Sequence, residues 1–151
     1  MGRGAIIAGC LVTLLAGGCA SLRARWARDA ASPELAARCQ QLSHEAQAAI
    51  DRNDWSGACS NLEQLVAQAP RSAEAYQRLS RVLMAQGRLS EAEAAARRAL
   101  ELEPEYVDAM ISLGEVETKL GRPAVALRHI DAAIEVDPNR SEAQLAQGQA
   151  L

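Results

Sequence analysis

The stretch ALELEP at residues 99–104 recurs as AIEVDP at residues 133–138, and a fainter copy, LVAQAP, lies at residues 65–70. A constant interval of 34 residues separates the three copies. Such a fixed interval is the signature of a repeat architecture, in which each unit is one supersecondary structure. The units predicted from this interval are segments 39–72, 73–106 and 107–140, with 141–151 as an incomplete fourth.

Equivalent positions of the aligned segments have equivalent chemistry. A large apolar residue stands near the start of each unit, at Leu42, Tyr76 and Met110. One position is always small, at Ala46, Ser80, Gly114 and Gly148, and a second small position is occupied by Ala58, Ala92 and Ala126. A proline closes each unit, at Pro70, Pro104 and Pro138.

Each unit is predicted to be a pair of helices. In the second unit, Tyr76, Leu79, Ser80 and Leu83 have the i, i+3, i+4, i+7 spacing of one helix face. A later stripe of Ala92, Ala96 and Ala99 allows a second helix to approach the small position of the first closely. The closing proline ends the unit, because proline cannot continue a hydrogen-bonded helix interior.

Local signals place the turn between the two helices. Asn53, Gly87 and Gly121 share one aligned position, and these residue types adopt the left-handed conformation that ends many helices. Ser90 followed by Glu93 has the spacing of a capping box, which predicts that the second helix begins directly after Ser90.

The composition indicates a single all-α domain. The chain has 151 residues, of which 49% are hydrophobic and 23% charged, and only 3% are aromatic with no phenylalanine. Alanine favours helices, while the β-branched and aromatic runs typical of strands are missing. Ser32 and Pro33 have the pattern of an N-cap followed by a proline in the first turn, so the folded domain is predicted to span residues 33–151.

These repeats resemble the tetratricopeptide repeat (TPR) family in their period, small-residue positions and closing proline. The resemblance covers residues 39–140 and implies a right-handed solenoid of antiparallel helix pairs. The first unit departs from the family pattern, with Glu45 and Gln68 at positions that are usually apolar. The incomplete fourth unit, 141–151, fits either a closing cap helix or a chain that continues beyond Leu151.

The resemblance also implies where a partner would bind. In TPR proteins the first helix of each unit lines the concave side, which here would carry a mixed polar surface with two hydrophobic residues among the polar ones. The partner-binding residues predicted on this side are Gln77, Arg81, Met84, Ile111, Glu115 and Thr118. The partner is predicted to be a protein or peptide. The Lys and Asn pattern with which some TPR proteins bind a terminal carboxylate is absent.

Residues 1–18 are predicted to be a signal peptide. Arg3 precedes an uncharged run at residues 5–18, which is too short to span a membrane. The run ends in LLAGGCAS, which resembles the lipobox of bacterial lipoproteins and makes Cys19 the predicted lipidation site. Two alternatives remain: the lipobox-like IAGC ending at Cys10, and ordinary cleavage after Ala20, which would release a soluble protein.

Residues 19–32 are predicted to be a lipid-anchored tether. Arg23, Arg25 and Arg28 surround Trp26 there, a composition that fits either contact with anionic headgroups or a solvated linker. Residue Ala20 is not the Asp associated with retention in the inner membrane. The resemblance to lipoproteins therefore places the protein in the bacterial cell envelope, at the periplasmic face of the outer membrane. Acylation with more than one chain would make the attachment stable.

The sequence favours no catalytic, metal or cofactor site. The two histidines, His44 and His129, fall in different units without metal-ligand spacing, and are predicted to be surface residues. Cys39 and Cys59 lie too far apart along a helix pair to form a disulfide, so two buried or half-buried free thiols are predicted. A formal net charge of −3 disfavours nucleic acid as a partner.

The sequence thus predicts a non-catalytic, membrane-tethered TPR adaptor. TPR lipoproteins that resemble it take part in envelope assembly, pilus biogenesis or secretion. The alternatives are a soluble periplasmic module, a self-associating module that forms a homo-oligomer, and a fragment of a longer TPR protein.

Overall fold

The computed structural model describes residues 33–151, and this part of the chain forms seven α-helices and no strand. The helices are α1 (Pro33–Asp51), α2 (Trp55–Gln68), α3 (Ala73–Ala85), α4 (Leu89–Leu102), α5 (Val107–Lys119), α6 (Pro123–Val136) and α7 (Ser141–Ala150). The all-α prediction is confirmed. The predicted signal peptide, Cys19 and the predicted tether lie outside the described residues.

The chain divides into two units, residues 1–36 and 37–151. Of the first, the structure describes residues 33–36, which are the first turn of α1. The second contains the remainder of α1 and helices α2 to α7. In this second unit, α3 packs most extensively against α4, and α5 against α6, so the second and third predicted repeats are each one helical pair.

The turn within each pair has the predicted left-handed residue. Gly87 and Gly121 both have φ 75°, and Asn53 has φ 59°. The next residue donates its backbone N–H back to the helix that has just ended: Arg88 to the Leu83 carbonyl at 2.9 Å, and Arg122 to the Glu117 carbonyl at 2.9 Å. These bonds satisfy carbonyls that the end of a helix would otherwise leave unpaired.

The predicted capping box at Ser90 and Glu93 is wrong. Helix α4 begins at Leu89, and its N-cap residue is Arg88, which makes no side-chain cap hydrogen bond. Ser90 therefore lies inside the first turn. The Arg88 guanidinium instead pairs with Glu91, with 2.6 Å between Nη2 and Oε2. The tight turn at Gly87 starts α4 two residues too early for Ser90 to act as its cap.

Small side chains allow the two helices of a pair to approach closely. Ala58, Ala92 and Ala126 have no exposed surface. Gly114 lies so near α6 that an added Cβ would come within 2.5 Å of Cγ1 of Ile130. At the equivalent position of the second unit, the Ser80 hydroxyl donates to the Ala92 carbonyl at 2.8 Å. The predicted contact between the two small positions is confirmed.

One carboxylate is fully buried in the described core. Glu117 on α5 has 0% exposure, and neither of its oxygens has a hydrogen-bond partner among the described residues. Its nearest charged neighbours are Arg97 on α4, with Nη2 3.8 Å from Oε1, and His129 on α6, with Nε2 3.7 Å from Oε2. Burial raises the pKa of Glu117, and the cationic neighbours oppose that rise.

Candidate protein-binding groove

Two adjoining pockets form a groove along the first helices of the repeats. The N-terminal pocket, about 520 Å³, is lined by the end of α1, the start of α2, and α3 and α5. The C-terminal pocket, about 170 Å³, is lined by α3, α5 and the segment that leads into α7. Arg81 and Glu115 line both pockets, so the two pockets adjoin there.

Five of the six predicted partner-binding residues line this groove. Arg81 and Glu115 stand at its middle, Met84 lines the N-terminal pocket, and Gln77 and Ile111 line the C-terminal pocket. Thr118 lines neither of these two pockets. Its hydroxyl donates to the Gly114 carbonyl at 2.9 Å within α5, which directs the side chain back onto its own helix.

The expectation that Ile111 is exposed on this surface is wrong. Its side chain is only 5% exposed and packs in a cluster that includes Ala143 and Ala146 of α7. Gln77 is also buried, at 6% exposure, and its Nε2 donates to the Ser112 hydroxyl at 3.1 Å. Successive first helices pack against one another, so residues at their contact are covered even though they belong to the groove-lining helices.

Sequence reasoning missed Arg78, Lys119 and Trp55 as residues of the N-terminal pocket. Arg78 is half-buried and spans two helices: its Nη1 donates to the Ser43 hydroxyl at 2.6 Å, and its Nη2 to Oε1 of Gln47 at 3.1 Å. The i, i+3 spacing of Arg78 and Arg81 was a usable signal. Trp55 could not be assigned, because it belongs to a second helix and reaches the pocket only through the packing of the pairs.

The charged groups of the C-terminal pocket pair with one another. Arg140 lies between two carboxylates: it forms an ion pair with Asp108, and its Nε lies 3.4 Å from Oε2 of Glu142. Burial raises the pKa of Glu115, while the positive charges of Arg81 and Lys119 act in the opposite direction. The arrangement supplies hydrogen-bonding and charged groups for recognition.

The remaining reactive side chains do not form a site with the groove. His44 is exposed and His129 is half-buried beside Glu117. Cys59 is buried and Cys39 half-buried, and both are free thiols, which confirms that prediction. Burial raises the pKa of Cys59, which disfavours the reactive thiolate. Within residues 33–151, no three His, Cys, Asp or Glu side chains converge on a position for a metal ion.

None of the described helices combines the length and the apolar character that crossing a membrane requires.

Solved structures similar to this chain include TPR domains from other organisms. The TPR2B domain of yeast Sti1, in a complex with pHsp70, has a TM-score of 0.70 at 23% identity, covering 75% of this chain and 95% of that chain. The Sgt2 TPR domain from Aspergillus fumigatus has a TM-score of 0.72 at 21% identity, covering 79% and 78%. At these identities the likeness shows the fold alone.

A third similar structure belongs to an enzyme. The O-GlcNAc transferase of Thermobaculum terrenum, as its K341M mutant, has a TM-score of 0.75 at 23% identity. The match covers 80% of this chain but only 23% of the transferase chain. The likeness therefore extends over a minor part of that enzyme.

The family of the chain follows from its match to a sequence model. A comparison with curated proteins found no match. The sequence model described as Tetratricopeptide repeat matches residues 49–101 and 83–150, an overlapping pair that together spans more than half of the 151 residues. The chain therefore belongs to the tetratricopeptide repeat family.

Proposed function

We propose that this protein is a non-catalytic adaptor that binds a segment of another protein in the groove along α1, α3, α5 and α7. The observation that carries the proposal is that the two pockets adjoin at Arg81 and Glu115, which line both of them. A groove of adjoining pockets lined by charged, amide and apolar side chains is suited to an extended or helical segment. The TPR domain of Sti1 in its complex with pHsp70 is a precedent for a protein partner on this fold.

The proposal includes attachment to the bacterial envelope. Lipidation at Cys19 would hold the domain at the periplasmic face of the outer membrane through residues 19–32, and there it would serve envelope assembly, pilus biogenesis or secretion. The support is the sequence LLAGGCAS, which follows an uncharged run. In this arrangement the groove brings one protein to the membrane surface without acting on it chemically.

The groove is tested by a crosslinked pull-down from detergent-solubilised envelopes. Wild type is compared with an Arg81→Glu, Lys119→Glu double variant, because both side chains are exposed and line the N-terminal pocket. The control is Arg52→Glu with Arg128→Glu, which makes the same charge change at exposed positions outside both pockets. Circular dichroism checks that all three proteins are folded.

A partner captured by wild type and control but lost from the groove variant is the expected result. Capture by all three proteins would place the partner on another surface. If none of the three proteins captures a partner, the adaptor function is contradicted, and self-association or a fragment of a longer TPR protein is favoured.

The membrane attachment has its own test. Metabolic labelling with a fatty acid should mark the wild type and not a Cys19→Ser variant, and the labelled protein should fractionate with the outer membrane. An unlabelled wild type recovered in the periplasm would instead support cleavage after Ala20 and a soluble binding module. Continuation of the reading frame beyond Leu151 would identify the chain as a fragment of a longer TPR protein.

A second candidate function is self-association. Val136 and Leu145 are large hydrophobic side chains with 47% and 67% exposure, and both lie on the last two helices. An apolar surface shared between copies would form a homo-oligomer. Concentration-dependent sedimentation of the wild type, abolished by Leu145→Glu, would support this function.

A further inference from the structure

The N-terminal pocket carries an excess of positive charge. Arg78, Arg81 and Lys119 line it, and Glu115 is the one carboxylate among its lining residues. Within residues 33–151 none of these three cations forms an ion pair with a carboxylate. Arg78 donates to the neutral groups of Ser43 and Gln47 instead.

Five other arginines of the described chain do form ion pairs. Arg88, Arg97, Arg98, Arg122 and Arg140 each pair with a carboxylate. The protein has 19 acidic residues against 16 basic ones, so carboxylates are not scarce. Three unpaired cations on one pocket therefore make a local positive field within an acidic protein.

The same pocket has an apolar wall. Its lining includes Ile50, Trp55 and Met84. Two of these side chains, Ile50 and Met84, also pack against the hydrophobic core. The pocket is thus able to receive a bulky apolar side chain while the cations stand around it. This combination of an apolar wall and positive charge matches an amphipathic acidic ligand.

The charge changes along the groove. Beyond Arg81 and Glu115, the C-terminal pocket adds two carboxylates, Asp108 and Glu142, and one cation, Arg140, which is paired with both. An acidic ligand is therefore favoured at the N-terminal pocket and is not favoured at the C-terminal one. A segment that runs through both pockets has a preferred direction, with its acidic part at α1.

We propose that the N-terminal pocket is the anchoring site of the adaptor, and that it binds an internal partner segment in which Asp or Glu side chains flank a bulky apolar residue. This inference rests on the proposed function. The segment continues past Arg81 into the C-terminal pocket, so the site recognises side-chain carboxylates and does not need the end of a chain. Apolar contact with Trp55 and Met84 and the attraction between opposite charges both contribute to affinity, and the charges also set the direction of the segment.

Charge argues against one alternative occupant, the chain's own predicted tether. Residues 20–32 contain Arg23, Arg25 and Arg28 but a single acid, Asp29. This segment is net positive and is repelled by the pocket. A second copy of the protein is the other alternative, and the experiment below distinguishes it.

The test selects ligands from a library of short random peptides displayed between two fixed protein sequences, so that no peptide has a free end. The full chain carrying Trp26→Phe is the target, because Trp55 is then its only tryptophan and reports ligand in the pocket. Parallel selections use the Arg81→Glu, Lys119→Glu variant and the Arg52→Glu, Arg128→Glu control in the same background.

The expected peptides are enriched in Asp and Glu around a bulky apolar residue, change the fluorescence of Trp55, and bind the target and the control equally. Their affinity falls by about tenfold or more in the groove variant, since close opposite charges at an interface are replaced by like ones. Binding also weakens as salt is added, because the charged groups are exposed.

Several results would overturn the inference: no enriched peptide, enrichment without acidic residues, or equal binding to the groove variant. Sedimentation that shows self-association lost only in the groove variant would make a second copy the occupant and would equally overturn it. The envelope pull-down keeps the two proposals apart. If the groove variant loses the partner there while no acidic peptide is selected, the adaptor function stands and this inference fails.

Discussion

At the scale of single residues, identical positions of the repeats do not carry identical constraints. Gly114 and Gly148 occupy the same small position of successive units. A Cβ at Gly114 would meet Cγ1 of Ile130 at 2.5 Å and the Ala126 carbonyl oxygen at 3.2 Å, while a Cβ at Gly148 would meet nothing within 4 Å. No second helix of the fourth unit is present in the described chain to cover Gly148.

Alanine substitutions at these two glycines should therefore have opposite effects. Gly114→Ala should lower the free energy of unfolding by about 1–3 kcal/mol, the usual cost of overpacking a core. Gly148→Ala should leave it unchanged or raise it by up to about 1 kcal/mol, because alanine is the better helix former. Urea denaturation measures both. Equal destabilisation by the two substitutions would contradict the close approach of α5 and α6.

Glu117 should make the stability of the domain pH-dependent. Because burial raises its pKa, the folded carboxyl keeps its proton to a higher pH than the unfolded one. The folded state then binds more protons in this window, so stability should fall as the pH rises from the ordinary pKa of Glu to the raised one. The slope contributed by one such proton reaches about 1.4 kcal/mol per pH unit.

The check is the free energy of unfolding as a function of pH for wild type, Glu117→Gln and the exposed control Glu105→Gln. The Glu117 variant should lose the downward slope, and the control should retain it. Arg97 and His129 face the carboxylate, while Glu93 pairs with Arg97 and Arg122, so these four residues stay unchanged in the comparison. Parallel curves for all three proteins would show that Glu117 ionises as readily when folded as when unfolded.

At the scale of helices, the turn within each pair ends one helix and starts the next. The connection within each pair has three residues, and its middle residue, Asn53, Gly87 or Gly121, is the left-handed one that reverses the chain. The second helices of the pairs, by contrast, differ in how their N-termini are capped. Asp54 accepts a hydrogen bond from the Gly57 N–H at 2.9 Å, whereas Arg88 and Arg122 cap nothing with their side chains.

Replacing either turn glycine by alanine should destabilise the domain. Gly87→Ala and Gly121→Ala should each cost about 1–2 kcal/mol, because a Cβ is strained in the left-handed region. Steric crowding does not contribute to this cost, since an added Cβ would meet nothing within 4 Å. Asn53→Gly is the matched control and should be neutral or stabilising. Thermal unfolding would refute this prediction if the glycine variants melted at the wild-type temperature.

At the scale of the whole domain, each pair is stabilised by the next one. Helix α7 covers the last complete pair: Ala143 and Ala146 pack in one cluster with Ile111 and Ile130. In a repeat protein, stability depends on such contacts between neighbours, and the terminal unit shields the apolar face of the unit before it.

Truncation after Arg140 should therefore destabilise the protein. Exposing Ile111 alone should lower the free energy of unfolding by about 1.5–3 kcal/mol, the value of burying one large aliphatic side chain. Deleting only Leu151, which is 92% exposed, should have no measurable effect. Chemical denaturation of the three chain lengths gives the comparison. If the truncated protein were as stable as the full chain, the packing of α7 against the last complete pair would not contribute to stability.

The repeat period, the all-α class and the turn residues were readable from the sequence, because they depend on residues close together in the chain. The small positions, the left-handed glycines and the free thiols were predicted correctly for the same reason. Capping at Ser90 was not, because the preceding turn displaced the start of the helix by two residues.

The exposure of individual side chains could not be predicted from the sequence, because it depends on which helix faces pack against the next helix pair. Ile111 reads as an exposed groove residue but is covered by α7. Trp55 lies on a second helix but lines the groove, and Arg78 reaches across to α1. Local spacing assigns a residue to a helix face, but only the packing of successive pairs brings Arg78, Arg81 and Lys119 to one pocket.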